Sequence, residues 1–279
     1  MTVHGAGDGS LPNDPVDRGS RPVVGVCAPV YNEASGIAAT VRGWSETLRR
    51  YGVPFEIVLC DDGSGDGTFE ALSALGEVPE LRVSRHASNR GAGAALRTAI
   101  AHSRADWLIT IDSDGQFALE DGLRMLDETR DAKALACIGH RQKQDRALLV
   151  LGSRFTSWLA CRVYRADVKD FNCALKVVHG EECRAMRLRA TRFDGSTEIT
   201  SRILLMGLPM IQTPVAHHPR REGQSKIRMF DDGMARIQFV GYLRAEARLI
   251  RRGSMDLGEL PGNAGAPSAP YATEESANE

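Results

Sequence analysis

Between residues 22 and 138 the chain alternates between short apolar runs and helix-length amphipathic stretches. Residues 23–28, 55–60, 81–85, 107–111 and 134–138 read as strands. Helices are predicted over about 35–51, from near Gly67, from Gly91 to His102 and over about 119–129. Strands separated by helical crossovers predict an α/β fold with a mostly parallel central sheet and helices on both faces. Ligands of such sheets bind beyond the carboxyl ends of the strands, so candidate site residues are sought there.

The second half is less regular. Residues 146–164 and 197–206 read as helices, 210–216 as a strand and 217–226 as a polar, basic loop. A last helix is predicted over 229–250, with Ile237, Val240, Leu243, Ala247 and Ile250 on one side and Arg236, Arg244 and Arg248 elsewhere. Its apolar face is read as packing against the domain, and contact with an anionic membrane surface is the second reading. Residues 1–21 and 253–279 lack hydrophobic periodicity and read as disordered tails around one domain over 22–252. No apolar stretch approaches the ~20 residues that cross a bilayer, and the amino terminus has no signal-peptide core.

A formal net charge of −1 gives no global argument for a nucleic-acid partner. Six cysteines are scattered without a Cys-x-x-Cys pair, several inside apolar runs. The expectation is a reduced, cytoplasmic protein without structural zinc.

The strand ends are polar in a way a core does not require. The fourth strand runs into Asp112, Ser113, Asp114, Gly115 and Gln116. Side chains two apart on an extended chain share a side, so Asp112, Asp114 and Gln116 are expected to converge. Two carboxylates and an amide oxygen suit Mg²⁺ or Mn²⁺ rather than zinc.

The first strand runs into Pro29-Val-Tyr-Asn-Glu33, which alone reads as a turn with an Asn/Glu helix cap. The second runs into Asp61-Asp-Gly-Ser-Gly-Asp-Gly-Thr68. Ser64 or Asp66 could cap the next helix; two adjacent acids exceed that need, and Asp62 could bind ribose hydroxyls or a base N–H. Asn89-Arg-Gly-Ala-Gly-Ala94 opens a helix with backbone N–H groups, which suits either a diphosphate or close helix packing. Neither a dinucleotide fingerprint nor a Walker A loop is present.

Taken in order, these four segments resemble family 2 glycosyltransferases of the GT-A fold, over about residues 22–227. Arg220-Arg-Glu-Gly-Gln-Ser-Lys226 is similar to the Arg-x-x-Gly-x-Ser-Lys signature of the polyprenyl-phosphate (dolichyl-phosphate mannose synthase-like) branch. Gly139-His-Arg141 and Asp170-Phe-Asn-Cys-Ala-Leu-Lys176 fall where that branch has Gly-x-Arg and an acid after a helix. The branch often has Gly-Phe where Cys173 and Ala174 stand here.

The resemblance implies roles. Pro29, Tyr31, Glu33 and Asp62 would hold the base and ribose of a nucleotide sugar. Asp112, Asp114 and Gln116 would surround its diphosphate and the metal, while Arg141, Arg220 and Lys226 would face phosphate groups of donor or acceptor. Asp114, Arg141, Arg220 and Lys226 are the expected catalytic groups.

The implied reaction moves a hexose from a GDP- or UDP-linked donor to a polyprenyl phosphate with inversion. A lipid phosphate is already anionic, so no general base is needed. A soluble hydroxyl acceptor, the alternative, would need a carboxylate base, with Asp194 and Glu198 as candidates. Glu198 and Arg202 are four apart on a predicted helix, so an intrahelical ion pair is an equal reading. A third alternative, a nucleotide-binding module without catalysis, would not need Asp112, Asp114 and Gln116. His217 and His218 are read as structural.

Overall fold

The computed structural model describes residues 21–142, 161–162, 164, 166–191 and 195–218. Among these described residues seven strands form one sheet: β1 (Val24–Val30), β2 (Phe55–Asp61), β3 (Leu81–Arg85), β4 (Trp107–Thr110), β5 (Ala136–Arg141), β6 (Lys176–His179) and β7 (Met210–Val215). Their order across the sheet is β3-β2-β1-β4-β6-β5-β7. Among the described residues the helices are α1 (Ile37–Tyr51), α2 (Thr68–Ser73), α3 (Ala92–His102), α4 (Leu119–Asp131), α5 (Gly180–Ala185) and α6 (Gly195–Leu205).

Alternation along the strands builds two cores. Val24, Val26, Ala28 and Val30 of β1 and Ile57 and Leu59 of β2 face one side, with Ile37, Val41 and Leu48 of α1 and Leu119, Leu123 and Leu126 of α4. Cys27, Val58 and Cys60 face the other, with Ala95, Leu96 and Ala99 of α3 and Ile199 and Ile203 of α6. Strands covered on both faces are apolar at nearly every position, as in other parallel sheets. Five of the six cysteines are buried in these layers, where thiols act as small hydrophobes.

Strand direction creates the working edge. β1 is parallel to β2 and β4, β2 to β3, and β5 to β7, while β6 runs antiparallel to both β4 and β5. Every strand but β6 therefore releases its chain at the same edge, and β6 begins there.

The mostly parallel α/β expectation holds, but β6 and α5 were not predicted. β6 has only four residues, and a lysine and a histidine at its ends interrupt any apolar run. The fifth strand also differs. It starts at Ala136 and continues to Arg141, because its ladder with β7 persists to the Arg141–Val215 pair beyond the last apolar residue. Among the described residues no helix is long and apolar enough to cross a membrane. Residues 1–20 and 253–279 of the predicted tails, most of the helix over 146–164 and the final helix lie outside the described residues.

Candidate active site

The loops after β1 and β2 are fastened to each other. Asn32, at φ 51°, donates its N–H to Ser64 Oγ (2.9 Å) and accepts from Gly65 N–H at Oδ1 (3.0 Å). Glu33 N–H donates to Thr68 Oγ1 (2.8 Å), and Ala34 N–H to Asp66 Oδ2 (3.1 Å). The N-cap of α1 is Gly36, which has no side-chain cap bond, and Asn32 braces the neighbouring loop. Asp66 does secure the start of α2, accepting from Thr68 N–H at 3.0 Å. Burial pushes its carboxyl up, but the bonds from Thr68 and Ala34 hold it below the ordinary range. This bracing fixes the segment carrying Tyr31 and Glu33, both half-buried.

The two adjacent acids diverge. Asp61 turns into its own loop, accepting from Ser64 and lying 3.1 Å from Arg85 Nε. Burial raises its carboxyl despite these partners. Asp62, 1% exposed, turns toward α3. Its Oδ1 accepts from Arg90 N–H (2.9 Å) and faces His86 Nδ1 (2.7 Å), while Oδ2 accepts from Gly91 N–H (2.7 Å). Asp62 thus anchors the Asn89–Gly91 turn, a task not anticipated from sequence. Gly63, at φ 71°, completes the contact: a Cβ there would lie 2.6 Å from the Ser88 carbonyl carbon.

Asp112, Asp114 and Gln116 share one turn, but not by the expected route. β4 ends at Thr110, and Gly115, at φ 73°, turns the chain out of extended geometry. The three side chains are therefore presented by a turn, not by strand alternation. Several contacts hold it. Ser113 Oγ donates to Pro29 O (2.9 Å), Gln116 N–H to Asp114 Oδ1 (3.1 Å), and His218 N–H to Gln116 O (2.9 Å). Pro29 lies beyond the last β1–β4 pair, Cys27–Thr110, so its missing N–H costs that ladder nothing. Gln116 Nε2 donates to His218 O (3.2 Å), which assigns the amide nitrogen to that contact and leaves the oxygen as the end suited to a cation.

Arg141, at the end of β5, meets Asp170 in a two-point pair, Nε–Oδ2 at 2.7 Å and Nη2–Oδ1 at 3.0 Å. Burial works against both charges, yet the pair wins: the arginine is raised and the aspartate lowered. Lys176, at the start of β6, is fully buried and donates to Cys173 O. Burial pushes it down to about 8, opposed by the charges of Asp170 and Asp112. His217 packs edge-on against Phe117 at 5.0 Å, and burial and Arg141 lower its pKa. That contact fits its structural reading.

The glycosyl transferase family 2 model matches residues 25–187, more than half of the chain. This chain belongs to glycosyl transferase family 2. Its curated relatives include the undecaprenyl-phosphate 4-deoxy-4-formamido-L-arabinose transferases of Edwardsiella ictaluri and Pseudomonas aeruginosa. The first is 28% identical over 205 residues, covering 73% of this chain and 62% of the relative. The second is 32% identical over 210 residues, covering 73% and 60%. This family 2 chain thus spans about 60% of the length of those relatives.

Among solved structures, glucosyl-3-phosphoglycerate synthase from Mycobacterium tuberculosis superposes with a TM-score of 0.60 at 17% identity, over 81% of this chain and 80% of that one. Mannosyl-3-phosphoglycerate synthase from Rubrobacter xylanophilus gives 0.60 at 15%, over 85% and 76%. At such identities the likeness is one of fold, the GT-A fold of family 2.

Within that fold Glu198 is a buried, internally bonded residue. It is 0% exposed, accepts from Arg189 and Ala190 N–H at Oε2 (2.7 Å each), and pairs with Arg202 Nη2 at Oε1 (3.1 Å). The intrahelical ion-pair reading is the observed one. Arg220, Lys226 and Asp194 lie outside the described residues. Sequence reasoning missed Ser113, Thr68, His86 and Thr98; serines, threonines and a lone histidine carry no signal until the fold supplies their partners.

Proposed function

We propose that this family 2 chain is a metal-dependent inverting glycosyltransferase moving a hexose from a UDP- or GDP-linked donor to a polyprenyl phosphate. The observation that carries the reading is the bracing of the Asp112–Gln116 turn between Pro29 of β1 and His218 beyond β7, with Arg141 on the neighbouring strand end. It sets two carboxylates and an amide at the edge where a GT-A fold receives its donor.

Pro29, Tyr31, Glu33 and Asp62 are assigned to base and ribose, and Asp112 to the donor as well. Among the described residues no cluster of three or more His, Cys, Asp or Glu forms a protein cage for an ion. That suits Mg²⁺ or Mn²⁺, which take few carboxylates and complete their shell with phosphate oxygens and water. Asp112, Asp114 and Gln116 would hold the ion, which would supply charge neutralisation for the leaving diphosphate. Arg141, oriented by Asp170, adds a fixed cation whose benefit grows as negative charge develops on that group. Attack from the face opposite the diphosphate inverts the anomeric carbon. Arg220 and Lys226 are assigned to bringing the second anion, the acceptor phosphate, alongside the first.

The acceptor assignment draws on the relatives, whose names specify undecaprenyl phosphate. It draws also on Glu198, whose backbone bonds and ion pair leave it poorly suited to serve as a base for a hydroxyl acceptor. A lipid-linked acceptor further implies peripheral contact with the cytoplasmic face of a membrane. The test is release of UDP or GDP from a nucleotide-sugar panel, with Mg²⁺, Mn²⁺ or EDTA. Metal-dependent release from one donor is expected; release equal in EDTA would remove the metal assignment.

A further inference from the structure

His86 stands one residue past β3 and was not selected by any sequence motif. Its side chain is 5% exposed, so it does not meet a ligand directly. Its two ring nitrogens nevertheless connect two parts of the donor site. Nδ1 lies 2.7 Å from Asp62 Oδ1, and Nε2 lies 3.0 Å from Thr98 Oγ1 on α3. A carboxylate only accepts, so the Nδ1 proton points at Asp62. The Thr98 hydroxyl also lies 3.1 Å from Ala94 O on the same helix, so the far side of the ring is tied to α3. The His86 N–H donates in turn to Asp61 O (2.8 Å), fixing the ring's origin to the end of β2.

We propose that His86 is a positioning residue for the donor nucleotide, holding the Asp62 carboxylate in register with α3 and with the turn that opens it. Three donors occupy Asp62: His86, Arg90 N–H and Gly91 N–H. Two of these are backbone N–H groups of the turn that opens α3, whereas the histidine is a side chain from a strand end braced against that helix. The imidazole therefore sets the angle of the carboxylate, assigned above to the base and ribose, and with it the placement of the turn that opens α3. The backbone approach of Gly63 to Ser88 and Asn89 leaves the turn no room to follow a displaced Asp62. A change at His86 is felt as a misdirected Asp62, not as lost contact with the donor. This inference rests on the nucleotide-sugar reading above.

Two near-isosteric replacements separate positioning from mere filling of space. The amide nitrogen of Asn occupies the place of Nδ1, whereas that of Gln occupies the place of Nε2. His86→Asn keeps the donor to Asp62; His86→Gln keeps only the contact with Thr98. Calorimetric titration of UDP and of GDP, each with Mn²⁺, first identifies the nucleotide that wild type binds. For that nucleotide His86→Asn is expected to stay within about threefold of the wild-type Kd, and His86→Gln to weaken it by about tenfold or more. Equal affinities for the two variants, or an unchanged Kd in His86→Gln, overturn the inference. Should a variant melt below the assay temperature, Thr98→Val removes the far anchor: weaker nucleotide binding supports the inference and unchanged binding overturns it. If wild type binds neither UDP nor GDP, the donor reading falls and this inference with it. Failure of the inference alone requires a wild type that binds.

Discussion

Replacing Glu198 by glutamine tests whether this residue serves as a general base. Its carboxylate is engaged on both oxygens: Arg189 and Ala190 N–H at Oε2, and Arg202 Nη2 at Oε1. The Gln carbonyl can retain the two backbone bonds, but its NH₂ then opposes the Arg202 guanidinium, donor against donor. Removing one partner of a buried ion pair costs roughly 3–5 kcal/mol. Burial already pushes the Glu198 carboxyl toward its protonated form, so the lower end applies. For a domain of this size about 3 kcal/mol corresponds to a fall in Tm of roughly 6–12 °C. The assay is a thermal melt beside donor turnover, measured well below the variant's Tm with polyprenyl phosphate present. The account predicts the lower Tm and a kcat within about threefold of wild type. An unchanged Tm with a hundredfold or greater loss of kcat, on the scale of a lost general base, would refute it.

Asp114→Ala should lower donor turnover by at least about a hundredfold while shifting Tm by no more than about 2 °C, because the side chain is half-buried on a turn rather than in a core. Lys176 loses its proton near 8 when folded and near the ordinary 10.5 when unfolded, so the unfolded chain binds more protons between these values. Wild type should therefore gain stability relative to Lys176→Met as pH rises from about 8 to 10.5, by at most about 3 kcal/mol. Urea unfolding at both pH values reads the difference, and a parallel pair of curves would contradict it. Gly63→Ala adds a Cβ 2.6 Å from Ser88 at a left-handed φ, so it should cost at least about 1 kcal/mol and raise the donor KM more than it lowers kcat.

The sheet was legible because its strands are long enough, and apolar enough on both faces, to stand out. β3 was predicted with its observed ends, Leu81 and Arg85. β6 was hidden because Lys176 replaces an apolar residue in a four-residue strand, and only the neighbouring ladders make that position an interior one. In the site, motif order located the right loops, whereas residue-level geometry needed the fold. The turn at Gly115, not strand alternation, presents Asp112, Asp114 and Gln116. Asp62 was selected for an acid in excess of capping, yet three of its bonds go to groups 24 to 29 residues away. Separations of that kind leave no periodic trace in a sequence.

The most direct test of the central claim is transfer of labelled sugar. The chain is incubated with the donor it turns over, Mn²⁺ and a short polyprenyl phosphate, and the organic phase is analysed by mass spectrometry. The account predicts one hexose joined to the lipid phosphate through an inverted anomeric carbon, with no product in EDTA. Donor consumption with every label remaining in water-soluble products would contradict it.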